Sequence, residues 1–262
     1  MHVEERGTGT PLVLVHGFGV DHRMLLPLDD AVAGEGGWRR LYVDLPWTPG
    51  TPVGDVTSTD DVVAALLAAV RERVGDEPFA VLGSSFGGLL ARSLAHALRD
   101  QVLGLATLAG VVGADRASRD VPARQVIHTD PAALAAAGDA ADDYAEMAVV
   151  QTPEGARLFS RYAHPGMVAA DEDALTRIGE RYTPTVDPEV ASPAPFVQPA
   201  LFVTARQDHV VGHRDAWASL DHYPRATYVA LDAAGHNVHL DRPAVVDVLV
   251  RDWLRRVRSS AG

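Results

Sequence analysis

The 262-residue chain contains neither cysteine nor lysine. Without cysteine, disulfides, thiolate nucleophiles and cysteine-ligated metals are excluded. Without lysine, Schiff-base chemistry and a phosphate-binding P-loop lysine are excluded as well. No apolar run is long enough for a transmembrane helix, and the polar, acidic stretch 1–6 is unlike a signal peptide. We therefore expect a cytoplasmic protein without membrane contact.

Basic residues are scarce relative to acidic ones, with 23 Lys+Arg against 35 Asp+Glu and a net charge of -12. This balance argues against nucleic acid or an anionic membrane surface as a partner. A hydrophobic fraction of 47% is ordinary for a globular protein. The length suits one large α/β domain, or a core that carries an inserted subdomain.

Apolar runs of strand length alternate with helical patterns along most of the chain. The alternation predicts an α/β fold with a mostly parallel sheet and helices on both faces. Residues 2–6 are expected to form a short edge strand. The predicted buried strands cover 12–15, 39–46, 79–83, 102–108, 200–204 and 226–231. The predicted helices cover 22–34, 59–74, the stretch after Ser85, 213–221 and 243–257.

The alternation stops between 113 and 195, where the sequence is rich in alanine, aspartate and arginine. Helical patterns occupy 131–150, 153–162 and 171–182, and no buried strand is evident. About 80 residues is too long for a simple crossover between two strands. We therefore predict a core of 1–112 and 196–262, with 113–195 inserted as a helical cap, or lid.

A Gly-x-Ser-x-Gly motif, Gly83-Ser84-Ser85-Phe86-Gly87, joins a predicted strand to a predicted helix. In that context the motif indicates a nucleophile elbow, a strained turn that needs small residues two positions before and two after the serine. Gly88 would let the helix pack close to the strand. Ser85 would then project its hydroxyl from the end of the sheet.

Two further groups follow strands at the same edge of the predicted sheet, where ligands gather in such folds. Asp208 lies in the loop after the strand at 200–204, and His236 lies in the loop after the last strand. Chain order Ser, Asp, His is the order expected of a catalytic triad on this architecture. Asp115, just beyond Gly113, is the alternative acid.

The chain resembles cap-bearing α/β-hydrolases related to esterases, lactonases and C–C bond hydrolases. The resemblance rests on His16-Gly17-Phe18-Gly19, Asp44-Leu45-Pro46, Gly83–Gly88, Asp208 and Gly235-His236. It implies that Ser85 is the nucleophile, that His236 is the base and later the acid, and that Asp208 orients the imidazole. It also implies an oxyanion hole made by the backbone N–H groups of Phe18 and Phe86.

Several other residues receive a provisional role. His16 would support the oxyanion loop, and Asp241 would cap the helix that follows it. His209 and His213 are not expected to bind a metal, because no third ligand is patterned around them. Where relatives continue with a glycine-rich stretch, this chain has Trp47-Thr48-Pro49. The candidates to line a substrate pocket are Gly17, Trp47, Tyr144, Met147, Phe159, Tyr162, Met167 and Val210.

These features predict a serine hydrolase without cofactor or metal that cleaves a small-molecule carboxylic ester, or a lactone, through an acyl-enzyme. It would act as a monomer or a homodimer. Two alternatives stay open. The same triad could cleave a C–C bond or support other non-ester chemistry. The protein could instead be a receptor-like binder of a small molecule with a vestigial triad.

Overall fold

The structure is a computed structural model that describes residues 1–260. Its main sheet has seven strands in the order β1-β3-β2-β4-β5-β8-β9. The first strand in the chain runs antiparallel to its neighbour, and every other neighbouring pair is parallel. The strands are β1 (Val3–Arg6), β2 (Thr10–Val15), β3 (Trp38–Val43), β4 (Phe79–Ser84), β5 (Val102–Leu108), β6 (His128–Thr129), β7 (Val150–Gln151), β8 (Ala200–Ala205) and β9 (Ala226–Leu231).

Helices connect the parallel strands and cover the sheet. The helices are α1 (Asp29–Glu35), α2 (Thr59–Val74), α3 (Phe86–Ala97), α4 (Ala133–Ala137), α5 (Ala141–Met147), α6 (Pro153–Tyr162), α7 (His164–Ala169), α8 (Glu172–Glu180), α9 (Pro188–Ala191), α10 (Arg214–Ala218), α11 (Val238–Asp241) and α12 (Pro243–Ser260). Three 3₁₀ helices complete the set, at His22–Leu28, Gly138–Ala140 and Leu220–His222. Helix α3 packs on β4 and β5 beside α2, while α12 packs on β5 and β8 beside α1. No helix within residues 1–260 is long and apolar enough to cross a membrane.

The predicted fold class is confirmed, and the strands of the core lie close to where the apolar runs placed them, although the strand predicted at 39–46 ends at Val43. The predicted helix at 22–34 begins instead as a 3₁₀ helix with Pro27 inside it, capped by the Asp21 carboxylate. Proline has no N–H to donate to an α-helical hydrogen bond, so regular α-helix starts only at Asp29. The predicted helix at 131–150 is interrupted at Gly138, whose φ of +59° ends α4.

Between β5 and β8 the chain forms α4 to α9 and a small parallel ladder of β6 and β7. The sequence patterns did not predict this ladder, because its strands have two residues each. The helices α4 to α6 surround a second apolar cluster, separate from the main core, which includes Tyr144 and Phe159 and also takes in Met24 and Leu240 from outside the segment. The segment therefore has a small core of its own.

A buried ion pair joins the end of this segment to the helix that follows Ser85. The Arg92 side chain on α3 is only 2% exposed, and its Nε donates to Glu189 Oε1 on α9 at 2.7 Å. Arg92 Nη1 also donates to the Val111 carbonyl at 2.7 Å, and the Tyr223 hydroxyl donates to Glu189. Burial alone would raise the pKa of Glu189, but the adjacent guanidinium reverses this and lowers that pKa to about 2.

Removing one partner of this pair should destabilise the fold. We expect Glu189→Ala to lower the free energy of unfolding by about 3–5 kcal/mol, because Arg92 would remain buried without its counter-charge. Urea unfolding at neutral pH measures the change. Glu72→Ala, an exposed glutamate on α2, is the matched control and should change stability by less than about 0.5 kcal/mol. Equal stability of the two variants would contradict this account.

The same pair predicts how stability depends on pH. Because the pKa of Glu189 in the folded protein, about 2, is below its ordinary value of 4.5, the pair stabilises the fold fully above that ordinary value. The contribution is lost as the pH falls from there toward about 2. In unfolding titrations, the stability difference between wild type and Glu189→Gln should therefore shrink across this acid range. A difference that stays constant across it would be inconsistent with the pair.

Candidate active site

The turn after β4 is so tight that it admits only glycine at three positions. A Cβ at Gly83 would lie 2.0 Å from the Gly87 carbonyl oxygen, and a Cβ at Gly87 would lie 2.1 Å from the last carbonyl oxygen of β2. A Cβ at Gly88 would lie 2.6 Å from the Cα of Gly110. All three distances are much shorter than van der Waals contact, so no side chain fits at these positions. The glycines therefore allow the strand, the turn and α3 to meet at Ser85.

Ser85 itself has a strained backbone, with φ 54° and ψ -121°. For a residue with a side chain this conformation costs about 1–3 kcal/mol and persists only where the surroundings enforce it. Three hydrogen bonds do so here. The Ser85 N–H donates to the Leu108 carbonyl at 3.0 Å, and the Ser85 carbonyl accepts from Gly88 and Val111, each at 2.9 Å. The strained turn leaves the side chain partly exposed at the carboxyl end of β4.

Two loops from neighbouring strands bring a histidine and an aspartate to this serine. His236 Nε2 lies 2.8 Å from Ser85 Oγ, and His236 Nδ1 lies 3.1 Å from Asp208 Oδ2. Asp208 is fully buried, and His236 is 8% exposed. The three side chains therefore form a continuous hydrogen-bonded line from a buried carboxylate to a partly exposed hydroxyl.

The Asp208 carboxylate is held by its own loop as well as by the imidazole. Its Oδ1 accepts from the N–H groups of Val210 at 2.8 Å and Val211 at 3.1 Å. Burial opposes the charge, but His236 and these two N–H groups lower the pKa of Asp208 below its ordinary value. Asp115, the alternative acid, is exposed and accepts the Ala117 N–H at 3.0 Å. The structure thus brings Asp208, and not Asp115, to His236.

Asp241 has a role that the sequence reading missed. Its Oδ2 accepts the Gly235 N–H at 2.7 Å, so it fixes the residue immediately before His236. The prediction that Asp241 caps the following helix is wrong: α12 begins at Pro243, and the carboxylate points back to the histidine loop. Burial and the nearby Asp208 charge raise the pKa of Asp241 to about 6. The sequence signal was only its position, shortly after Gly235-His236.

The loop after β2 lies directly against the serine. A Cβ at Gly17 would lie 3.1 Å from Ser85 Cβ and 3.6 Å from Ser85 Oγ. His16 is fully buried; its Nδ1 lies 2.8 Å from the Gly17 carbonyl oxygen, and its Nε2 accepts the Leu45 N–H. Burial lowers the pKa of His16, which favours this neutral supporting role. Within residues 1–260, neither the Phe18 N–H nor the Phe86 N–H donates to an acceptor in the chain.

An aromatic cluster packs behind this loop. The Phe18 ring lies 4.9 Å from Trp47 and 5.5 Å from Phe86. Trp47 is only 1% exposed, and its Nε1 donates to the Val20 carbonyl at 2.9 Å. The residue that replaces the expected glycine-rich stretch therefore supports the loop from behind. Trp47 belongs to the main core, and its assignment to the substrate pocket stays a prediction.

The other candidates for the substrate pocket lie in different parts of the structure. Tyr144 and Phe159, both 3% exposed, belong to the second apolar cluster, and the Tyr144 hydroxyl bonds the backbone of Thr152. Both residues pack the inserted segment, and their assignment to the substrate pocket stays a prediction. Met147 and Met167 are partly buried against the same cluster. Of the remaining two candidates, Tyr162 has the Arg161 guanidinium over its ring, and the Val210 N–H donates to Asp208.

The inserted segment reaches the site from two sides. Val149 approaches the histidine loop, since a Cβ at Gly235 would lie 3.0 Å from its Cγ1. From α8, Leu175 approaches Gly19, and the Phe18 ring approaches Gly179. The Tyr182 ring, just beyond α8, lies 5.0 Å from Phe86 and 5.6 Å from Phe18. No periodic signal marked Tyr182, a single aromatic residue at the end of a polar helix.

Comparison with known proteins settles the family. The sequence profile of the alpha/beta hydrolase fold matches residues 10–243, which is most of the chain. The chain belongs to the α/β-hydrolase family. Among solved structures, an alpha/beta superfamily hydrolase from Oenococcus oeni PSU-1 superposes with a TM-score of 0.92, covering 98% of this chain and 96% of that one at 23% identity. A thermophilic esterase from Thermogutta terrifontis gives a TM-score of 0.73, with 98% and 93% coverage at 20% identity. At these identities the likeness establishes the fold of this α/β-hydrolase.

Curated relatives match over part of the chain. The bifunctional biotin biosynthesis protein BioHC of Cellvibrio japonicus is 40% identical over 102 residues, which are 37% of this chain and 18% of that protein. The pimeloyl-(acyl-carrier protein) methyl ester esterase of Shewanella woodyi is 34% identical over 111 residues, 42% of this chain and 39% of that protein. The matches therefore span well under half the length of each relative.

The raised pKa of Asp241 predicts an effect of pH on stability. Between about pH 4 and about pH 6 the folded protein binds this proton more tightly than the unfolded chain, so wild-type stability falls as the pH rises through that window. Asp241→Asn keeps an acceptor for the Gly235 N–H but does not titrate. Relative to wild type, this variant should gain about 1–3 kcal/mol of unfolding free energy between about pH 4 and about pH 8.

Urea unfolding across that pH range measures the gain. Asp76→Asn, a change at an exposed aspartate, is the control and should show no such trend. If Asp241→Asn and Asp76→Asn followed the same curve, the pKa of Asp241 would not be raised in the folded protein.

Proposed function

We propose that this α/β-hydrolase is a serine hydrolase that cleaves carboxylic esters of small molecules through an acyl-enzyme. The observation that carries the proposal is the line of contacts from Asp208 through His236 to Ser85, at 3.1 and 2.8 Å. A serine hydroxyl is a poor nucleophile at neutral pH, and a histidine within hydrogen-bond distance can accept its proton as the bond to carbon forms. The named relatives include methyl ester esterases, which supports an ester substrate.

The first half-reaction transfers the acyl group to the enzyme. Ser85 Oγ attacks the ester carbonyl carbon while its proton moves to His236 Nε2, and the carbonyl oxygen takes the negative charge. Asp208 stabilises the imidazolium and keeps Nδ1 protonated throughout. When the tetrahedral intermediate collapses, the C–O bond to the alcohol breaks, and His236 returns the proton to the departing oxygen. The alcohol leaves, and the acyl group remains on Ser85.

The second half-reaction releases the acid. Water gives a proton to His236 Nε2 as its oxygen attacks the acyl carbon, and the bond to Ser85 Oγ then breaks with return of that proton to the serine. In both halves an oxyanion forms beside Ser85. We assign the Phe18 and Phe86 N–H groups to it, since both lie next to the serine in the fold and donate to nothing else within residues 1–260.

We further propose that the segment 113–195 acts as a cap over this site. Support comes from its two approaches to the loops around Ser85, through Val149 on one side and Leu175 on the other. Apolar side chains there would exclude water from the site. They would favour an ester or lactone substrate whose acyl or alcohol group is small and apolar. Arg92 and Glu189 would hold the end of this cap on α3.

Turnover of short and medium p-nitrophenyl esters tests the proposal. We expect Ser85→Ala to lower kcat by at least about 10³-fold, and Asp208→Asn to lower it by about 10²–10⁴-fold, because neither variant can activate the nucleophile properly. Ser93→Ala is the matched control: this serine lies on the same helix, and its hydroxyl only bonds the Leu89 carbonyl. Its activity should equal that of wild type.

Circular dichroism of each variant confirms folding before the rates are compared. A folded wild type that turns over no ester or lactone in the panel, or a Ser85→Ala variant that retains wild-type turnover, would contradict the proposed function. Equal loss of turnover in Ser93→Ala would contradict the assignment as well, because the loss would not be specific to the Ser85 hydroxyl.

A further inference from the structure

Two histidines converge on one carboxylate oxygen where β1 begins and β3 ends. His2 Nδ1 lies 2.8 Å from Asp44 Oδ2, and His22 Nδ1 lies 2.9 Å from the same oxygen. Among residues 1–260, this is the group of histidine and acidic side chains whose potential ligand atoms all lie within 4.8 Å of one another. None of the three takes part in the proposed chemistry.

The three side chains are held in place by the backbone. The His2 N–H donates to Thr51 Oγ1 at 3.0 Å, and the His2 carbonyl accepts the Asp44 N–H at 3.0 Å. The His22 N–H donates to Asp44 Oδ1 at 3.0 Å, and His22 Nδ1 lies 3.0 Å from that oxygen and 2.9 Å from Oδ2. The donor atoms thus come from three separate stretches of chain that are already fixed relative to one another.

The second ring nitrogen of His22 has a carboxylate partner. His22 Nε2 lies 3.0 Å from Glu4 Oε2, on the opposite side of the ring from Asp44. Histidines that ligate metals characteristically donate the other ring N–H to a carboxylate, which fixes the tautomer and leaves the first nitrogen free for the ion. Glu4 and His22 are arranged in this way.

We propose that His2 Nδ1, His22 Nδ1 and Asp44 Oδ2 bind one divalent transition-metal ion of the zinc class. Imidazole nitrogens with one carboxylate suit zinc, nickel or copper rather than magnesium or calcium. Zinc bonds of about 2.0–2.1 Å at tetrahedral angles put neighbouring ligand atoms about 3.4 Å apart. The two nitrogen–oxygen separations, 2.8 and 2.9 Å, are shorter than this, so both imidazoles would shift outward on binding the ion, and the His2 side chain is 50% exposed.

The ion replaces the hydrogen bonds that now join the three groups. Each imidazole binds through an unprotonated Nδ1, so any proton there leaves to solvent. With three protein ligands, the fourth position belongs to water. The bound ion would join β1 to the end of the oxyanion loop at His22 and to the exit of β3 at Asp44. It is therefore a structural clamp between these three stretches of chain.

Zinc titration of tag-free full-length protein tests the site. Isothermal titration calorimetry at mildly alkaline pH, with millimolar Mg²⁺ present to occupy exposed carboxylates, should show one zinc per chain. His2→Gln and His22→Gln should each weaken binding at least tenfold, because each removes one of three ligands. His128→Gln, at an exposed histidine elsewhere, is the matched control and should bind zinc as wild type does.

A second readout is independent of the calorimetry and of activity. Zinc should raise the Tm of wild type and of His128→Gln, but not of His22→Gln. The proposal would be overturned by wild type that binds no zinc, or by His2→Gln and His22→Gln that bind it as tightly as His128→Gln does. The His2 side chain is half-exposed, so we expect His2→Gln to fold even if His22→Gln does not. Zinc binding by His2→Gln then still tests the proposal.

Discussion

The loop that carries Ser85 is possible only because no side chain separates Gly83 from Gly87. A Cβ at Gly83 would lie 2.0 Å from the Gly87 carbonyl oxygen, and a Cβ at Gly87 would be equally crowded. Both positions must therefore be glycine, and α3 can then pack onto the end of β4. That close approach puts Ser85 at a φ of 54°, and hydrogen bonds from Gly88 and Val111 to its carbonyl hold it there. The strain and its compensation are both backbone properties, so the side chain stays available to His236.

The other parts of the site are set by where neighbouring strands end. Parallel strands deliver their carboxyl ends to one edge, and the loops after β8 and β9 supply Asp208 and His236 there. Each loop has its own carboxylate-to-amide bonds: Asp208 binds two N–H groups of its own loop, and Asp241 binds the Gly235 N–H. The 2.8 Å contact between His236 and Ser85 therefore depends on two loops that are each held by hydrogen bonds of their own.

Much of this arrangement could be predicted from the sequence, for identifiable physical reasons. Strands buried on both faces are continuous apolar runs, so Phe79–Ser84 and Val102–Leu108 were visible without the structure. Helix α2 was visible because its apolar residues recur at helical spacing. The positions of Ser85, Asp208 and His236 then followed from the Gly-x-Ser-x-Gly motif, the chain order of the three residues and the ends of the predicted strands.

What could not be predicted depends on contacts between distant or locally irregular parts of the chain. Arg92 and Glu189 are 97 residues apart, and nothing local to either position marks the pair. Tyr144 is an aromatic residue in an inserted helix, and composition cannot tell packing from pocket lining. Asp241 was expected to cap the helix that follows it, but its carboxylate accepts the N–H of a residue that precedes it. The chain turns back through α11, which brings the carboxylate to Gly235.

The central claim is that this geometry makes Ser85 an activated nucleophile, and a fluorophosphonate probe tests it most directly. Intact-mass measurement followed by peptide fragmentation should show one adduct per chain, located on Ser85 and not on its neighbour Ser84. The His236→Ala variant should label far more slowly, because no base accepts the serine proton. A folded wild type that forms no adduct, or forms it on another residue, would contradict the account.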